Sequence, residues 1–79
     1  MSAEQTRQVI NARGLRCPMP VLRLARTVRE GVRDITLLTD DPAALVDVPA
    51  YCAEQGWEIA AQEDKADGIR LWHIRVAAA

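Results

Sequence analysis

The central unit of the fold is predicted by residues 7–39, RQVINARGLRCPMPVLRLARTVREGVRDITLLT, because their pattern indicates a strand, a helix and a second strand in succession. Arg7–Ala12 (RQVINA) predicts a short first strand, and Gly14 predicts a turn after it. Asp34–Thr39 (DITLLT) is rich in β-forming residues and predicts a second, largely buried strand. A helix between consecutive strands implies a right-handed crossover and a parallel strand pair.

The helix of this unit is predicted from Pro18 to about Glu30, and Gly31 lies where a helix C-terminal glycine would. Four apolar residues recur at the spacing of one buried stripe: Val21, Leu24, Ala25 and Val28. The arginines between them, together with Thr27, are expected on the exposed side.

A second helical region follows the second strand. Asp40-Asp41-Pro42 places an acid at the N-cap and a proline at the first helical position. Pro49 lacks the backbone N–H that a helix interior needs, so we expect two short helical pieces, 42–47 and 49–55, ending at Gly56.

The last part of the chain predicts a β-hairpin. Segments 57–63 (WEIAAQE) and 69–76 (IRLWHIRV) predict strands, joined by a loop that contains the Asp-Gly turn signal. Trp72, Ile74 and Val76 share one parity and are expected to face the core. The element order is β-α-β-α-β-β, which predicts an α+β fold: a two-layer α/β sandwich with a four-stranded mixed sheet and two helices on one face.

Length and charge limit the class of protein. A chain of 79 residues encloses one modest core, so residues 1–79 are expected to form a single domain. No apolar run approaches the ~20 residues that span a bilayer, and the first residues lack the apolar segment of a signal peptide, so we expect a cytoplasmic protein. Residues 7–33 hold seven arginines against one acid, whereas residues 34–68 hold nine acids against one lysine. The basic half is expected to attract an acidic partner surface.

Cys17 stands out because it precedes two prolines at the predicted start of a helix. Helix starts present unpaired N–H groups and a partial positive charge, and proline is tolerated there because its missing N–H has no acceptor. Pro18 and Pro20 are therefore expected to hold the sulfur rigidly at the N-cap. With Arg13 and Arg16 nearby, this position predicts a lowered pKa and a nucleophilic thiolate.

Other cysteine chemistries have less support. The chain has one histidine, His73, on a different predicted element from Cys17, which disfavours a Cys–His hydrolase. The two cysteines and His73 lack the short spacings of a zinc site, so no metal is expected. Pro20 occupies the place where a C-x-x-C dithiol would have its second cysteine. What remains is a thiolate that carries a group or is attacked by one.

Two motifs resemble those of a known family. Residues 11–22 (NARGLRCPMPVL) resemble the signature of the TusA/SirA sulfur-carrier family, whose hallmark is a Cys-Pro-x-Pro motif opening the first helix. Residues 40–52 (DDPAALVDVPAYC) are similar to that family's second helical region, and the likeness extends from about Val9 to Val76. The resemblance implies the same β-α-β-α-β-β sandwich as the pattern of elements.

By that resemblance, Cys17 would accept a sulfane sulfur as a persulfide from a cysteine desulfurase or a rhodanese and deliver it to an acceptor protein. The destinations that it implies include 2-thiouridine formation in tRNA, molybdenum cofactor synthesis and oxidative sulfur metabolism. Such a protein is a sulfurtransferase-type carrier rather than a stand-alone catalyst. It would need no cofactor beyond the covalent persulfide, whose anionic terminal sulfur the helix amides and arginines would hold.

Several further residues have expected roles. Four on the first helix are candidates for docking a partner: Met19, Leu22, Arg23 and Arg26. Partial burial of Met19 and Leu22 under a loop is about equally expected. Cys52 is expected to be a buried structural cysteine. Many relatives have His where this chain has Trp57, which removes any role of that histidine here. A small carrier that docks several partners is expected to be a monomer.

Two hypotheses from other classes stay open at this stage. The chain could be a non-catalytic binding or regulatory module in which Cys17 is only a helix cap. Direct binding of nucleic acid through the arginines is opposed by the acidic second half and by the scarcity of aromatic residues near the basic segment. We therefore expect protein partners and neither direct nucleic-acid contact nor a membrane.

Overall fold

The structure, a computed structural model, describes residues 7–77. The elements follow in the order β1 (Gln8–Asn11), α1 (Met19–Arg29), β2 (Asp34–Thr39), α2 (Ala44–Gln55), β3 (Glu58–Asp64), a short 3-10 turn (Ala66–Gly68) and β4 (Arg70–Arg75). The predicted order is confirmed, and the predicted bounds of α1 and of all four strands differ from these by one residue at most. Within residues 7–77, no helix is long and apolar enough to cross a membrane.

The strands form one mixed sheet in the order β1-β2-β4-β3. β1 and β2 are parallel, with Ile10 opposite Leu37, and β4 is antiparallel to both β2 and β3. The predicted hairpin is confirmed, and its second strand is the one that pairs with β2. Because β1 and β2 are parallel, the loops that follow them leave the same edge of the sheet.

Both helices pack on one face of this sheet, as predicted. The largest fully buried apolar side chains from the sheet are Ile35, Leu37, Trp72 and Ile74, and those from the helices are Leu24, Val48 and Cys52. The expected core parity of β4 is confirmed, because Val76 is also buried. The indole N–H of Trp72 donates to the hydroxyl of Thr39 at 3.0 Å, so this polar group is satisfied inside the core.

The buried stripe of α1 differs from the prediction at its margins. Leu24 and Ala25 are buried, whereas Val21 and Val28 are half-buried and pack against the core. Thr27, expected on the exposed side, is buried. The reason is the return of the chain after the helix, since the Val32 N–H donates to the Thr27 carbonyl at 3.3 Å.

Helix α2 corrects a second prediction. It is one continuous helix from Ala44 to Gln55 with Pro49 inside it, rather than two pieces divided at that proline. Pro49 removes only the hydrogen bond to the Leu45 carbonyl, and the buried side chains of Val48 and Cys52 hold the turns on either side of it against the core. Packing thus outweighs the intrinsic cost of the proline.

The β3–β4 turn follows the expected Asp-Gly chemistry. Asp67 has φ 61° and Gly68 has φ 74°, which is the pair of positive φ angles that a type I′ turn requires. The Ile69 N–H closes the turn on the Ala66 carbonyl at 3.3 Å. The turn therefore permits the tight reversal that pairs the two strands.

Candidate functional site

The loops after β1 and β2 meet at one edge of the sheet. The Gly14 N–H donates to Asp40 Oδ1 at 2.9 Å, and the Cys17 N–H donates to Asp41 Oδ2 at 2.8 Å. Gly14 has φ 82°, a conformation that glycine adopts without strain. Two short charge-assisted bonds thus fix the backbone of the cysteine loop to the loop that precedes α2.

Cys17 is exposed and lies one residue before the helix N-cap, which is Pro18. The expectation that the sulfur itself caps α1 is wrong, because no side-chain hydrogen bond caps this helix. The Met19 N–H instead donates to the Arg16 carbonyl at 2.8 Å. Pro20 lies in the first turn, as predicted, and is buried, whereas Pro18 is exposed, so packing anchors the start of the helix at Pro20.

The partner of the sulfur is a carboxylate. The Cys17 thiol donates to Asp47 Oδ2 at 2.5 Å across 30 residues of sequence. The pKa of Cys17 is raised, first by this hydrogen bond and then by desolvation and by the charges of Asp47 and Asp41, all of which favour the protonated thiol. The predicted lowering of this pKa is therefore wrong in direction.

The two arginines expected to support Cys17 have other partners. Arg13 donates through Nε to the Asn11 side-chain oxygen at 2.9 Å. Asp41 accepts hydrogen bonds from the backbone N–H groups of Cys17 and Ala43, which lower the pKa of its carboxyl, and the charge of Arg16 acts on it in the same direction. In residues 7–77, neither guanidinium has a hydrogen bond to the sulfur. The two positive charges that were expected to lower the pKa of Cys17 therefore interact with Asn11 and Asp41 instead.

Open surface flanks the cysteine. A hollow of about 280 Å³ lies between α1 and α2 and is lined by Cys17, Pro18, Val21, Asp47, Ala50, Tyr51 and Glu54. Four of the five large apolar side chains exposed in the described residues are on the first turns of the two helices: Met19, Leu22, Leu45 and Val46. We call these four residues the apolar flank.

The predicted docking residues of α1 are all exposed. Met19 and Leu22 are 42% and 52% exposed, so each is accessible to a partner although part of its surface is covered. Arg23 and Arg26 lie on the outer side of the same helix, where Arg26 forms an exposed ion pair with Glu30 at 3.5 Å. Leu45 and Val46 were not predicted as surface residues, because Pro49 obscured the periodicity of α2.

The remaining candidates lie away from the sulfur. Cys52 is buried, as expected, and burial raises its pKa to about 11. Trp57 is half-buried and meets Tyr51 edge to face with ring centroids 5.6 Å apart. His73 Nε2 lies 2.6 Å from Oδ1 of Asp34, which is the first residue of β2. The Cys17 loop is instead bound to Asp41, which lies beyond the other end of that strand. The structure therefore brings no histidine to Cys17.

Asp47 and Asp41 are the residues of this site that motif reasoning missed. The topology could have indicated them. Because β1 and β2 are parallel, the starts of α1 and α2 lie side by side, with the cysteine at the start of α1 and the two acids at the start of α2. Among residues 7–77, no three His, Cys, Asp or Glu side chains are grouped to hold a metal ion. The site therefore consists of an exposed thiol, a carboxylate that accepts a hydrogen bond from it, and the apolar flank on the two helix starts.

Comparison with known proteins identifies the family and a structure with the same fold. The family described as Sulfurtransferase TusA matches residues 8–76. The structure is also similar to that of a SirA-like protein from Desulfitobacterium hafniense, with 23% sequence identity and a TM-score of 0.77 over 90% of this chain and 99% of that one. This likeness shows the fold, and the family match shows the membership. The chain belongs to the sulfurtransferase TusA family.

Proposed function

We propose that the protein carries a sulfane sulfur as a persulfide on Cys17, receiving it from a donor protein and passing it to an acceptor protein. The observation that carries this proposal is an exposed thiol between two helix starts in a chain of the sulfurtransferase TusA family. A carrier must present its sulfur to two different partners, and Cys17 lies at the rim of an open hollow rather than inside a closed pocket.

The proposed loading step conserves atoms and electrons. Sγ of Cys17 attacks the terminal sulfur of the donor's persulfide, and a new S–S bond forms as the donor's own S–S bond breaks. The electron pair of the broken bond goes to the donor's cysteine sulfur, which takes up a proton while Cys17 gives one up. Delivery to an acceptor thiol is the same exchange in the opposite sense, and neither step needs an oxidant or a reductant.

The docking surface that we propose combines the apolar flank with the outer arginines of α1. Exposed apolar side chains on both helix starts would bury area against a partner, and Arg23 would favour an acidic rim on it. We take the donor to be a cysteine desulfurase or a rhodanese. The acceptor would be another protein, serving tRNA 2-thiouridine formation, oxidative sulfur metabolism or molybdenum cofactor synthesis.

The surroundings of Cys17 favour a protein acceptor over direct contact with RNA. The carboxylates of Asp41, Asp47 and Glu54 lie around the sulfur or line its hollow, and they would repel a phosphate backbone. We propose that the carrier works as a monomer in the cytoplasm, where thiols stay reduced.

Mass spectrometry after incubation with a cysteine desulfurase and cysteine tests the proposal. Wild-type protein should gain the mass of one sulfur atom, Cys17→Ser should gain none, and the matched variant Cys52→Ser should load like the wild type. Absence of any gain with a desulfurase and with a rhodanese supplied with thiosulfate would reject the carrier.

One observation favours a second candidate, a binding or regulatory module with an unreactive cysteine. The raised pKa of Cys17 reduces its thiolate fraction at neutral pH. The same experiment separates the two, because such a module would bind a donor without taking up sulfur.

A further inference from the structure

Asp47 is held rigidly beside the sulfur. It lies in the first turn of α2, directly before Val48, which is fully buried and precedes the buried Cys52 by one helical turn. Its carboxylate accepts the Cys17 thiol at 2.5 Å, and the Cys17 backbone is bound separately to Asp41. The contact therefore joins two anchored segments rather than two mobile surface side chains.

The charged groups around Cys17 come from three segments. Asp47 and Glu54 belong to α2, Asp41 belongs to the loop before it, and Arg16 precedes the cysteine but acts on Asp41. Tyr51 also lines the hollow. The balance at the sulfur is negative, which agrees with the raised pKa of Cys17.

We propose that Asp47 is a positioning residue that biases the carrier toward release of its sulfur, by binding the empty thiol in a hydrogen bond that the loaded cysteine cannot make. This inference rests on the proposed persulfide function. In the exchange, Cys17–SH and a donor persulfide give Cys17–S–SH and a donor thiol. The hydrogen that Asp47 binds is present on Sγ only before the new S–S bond forms.

The loaded state also meets repulsion. A persulfide is more acidic than a thiol, so its terminal sulfur carries negative charge at neutral pH and faces the carboxylates of Asp47 and Asp41. Stabilising the empty form and opposing the anionic loaded form both move the equilibrium toward delivery. The same hydrogen bond keeps the resting thiol protonated, which slows its oxidation between cycles.

The test is Asp47→Asn, with Asp47→Ser as a second removal of the charge and Glu58→Gln as the matched control. Glu58 is exposed at the other edge of the sheet, opposite Arg75, so its variant loses one charge without touching the site. Each protein is equilibrated with glutathione persulfide and glutathione at a fixed ratio, and the loaded fraction is measured by mass spectrometry. Both Asp47 variants should raise the ratio of loaded to empty protein by roughly three- to tenfold, because a neutral side chain no longer gives the thiol a charge-assisted hydrogen bond and no longer repels the persulfide anion.

A second readout is the pH profile of Cys17 alkylation, which a purely structural role would not shift. It should move to lower pH in both Asp47 variants and stay in place in Glu58→Gln. If the wild type takes up no sulfur, the proposed function fails. If the wild type loads but the Asp47 variants keep its exchange ratio and alkylation profile, the role of Asp47 is rejected while the carrier function stands.

Discussion

Cys17 lies on an exposed loop at the rim of the sheet, whereas Cys52 lies on the buried face of α2, five residues beyond Asp47. The pKa of each thiol is raised, but the causes are different. At Cys17 the largest cause is a hydrogen bond to a carboxylate, and at Cys52 it is burial alone. Both thiols therefore favour the protonated form. At Cys17 the main reason is the contact with a carboxylate, and at Cys52 it is the exclusion of water.

The reactivity of Cys17 is therefore controlled by one side chain, whereas the reactivity of Cys52 is controlled by the fold. Substitution of Asp47 removes the largest cause at Cys17 and leaves the sulfur accessible. No single polar substitution frees Cys52, because a reagent must first open the contact between α2 and the sheet. A carrier needs the first kind of control, since a partner that docks at the rim can displace a carboxylate from a thiol.

The largest expected effect is the difference in alkylation between the two cysteines. In folded protein at about pH 8, iodoacetamide should modify Cys17 more than about a hundredfold faster than Cys52, because Cys52 is both inaccessible and far from its pKa of about 11. Peptide mapping measures both rates. In guanidinium chloride the two should react at similar rates, and comparable labelling of Cys52 in folded protein would contradict its structural role.

The next effect is on stability, from the same substitution at the two positions. Cys52→Ser should lower the free energy of unfolding by about 1–3 kcal/mol, because it places a hydroxyl in an apolar site. Cys17→Ser should leave the unfolding midpoint almost unchanged, because its side chain is exposed. Urea titration followed by Trp fluorescence measures both. A larger loss at Cys17 than at Cys52 would show that the Asp47 contact is a structural bond.

The same pair of cysteines shows how far sequence reasoning extends. The burial of Cys52 followed from local pattern, as did the strands and the Asp67-Gly68 turn, because each depends on residues close in the chain. The direction of the Cys17 pKa shift did not, because its cause is Asp47, thirty residues away and brought close only by the crossover topology. The predicted break of α2 at Pro49 was wrong for the reverse reason, since tertiary packing of Val48 and Cys52 overrides the strong local preference of proline.

The smallest effect concerns Asp41, which raises the pKa of Cys17 only through its charge. Asp41→Asn should shift the alkylation profile of Cys17 to lower pH, but by less than Asp47→Asn, because Asp41 acts on the sulfur through its charge alone, whereas Asp47 also accepts the thiol hydrogen bond. Alkylation rates across a pH series measure both shifts. An equal or larger shift in Asp41→Asn would mean that charge rather than the thiol hydrogen bond dominates at the sulfur.

Asp41 also predicts a response to acid that Cys17 itself does not. Its pKa is lowered in the folded protein by the N–H groups of Cys17 and Ala43 that donate to it. A carboxyl whose folded pKa lies below its unfolded value contributes stability above the unfolded pKa, and this contribution is lost as the pH falls through the folded one. Acid titration followed by circular dichroism should therefore show a shallower loss of stability in Asp41→Asn than in the wild type. A parallel decline would mean that water replaces these bonds when the loop opens, so that the loop holding Cys17 is less firmly anchored than the buried helix holding Cys52.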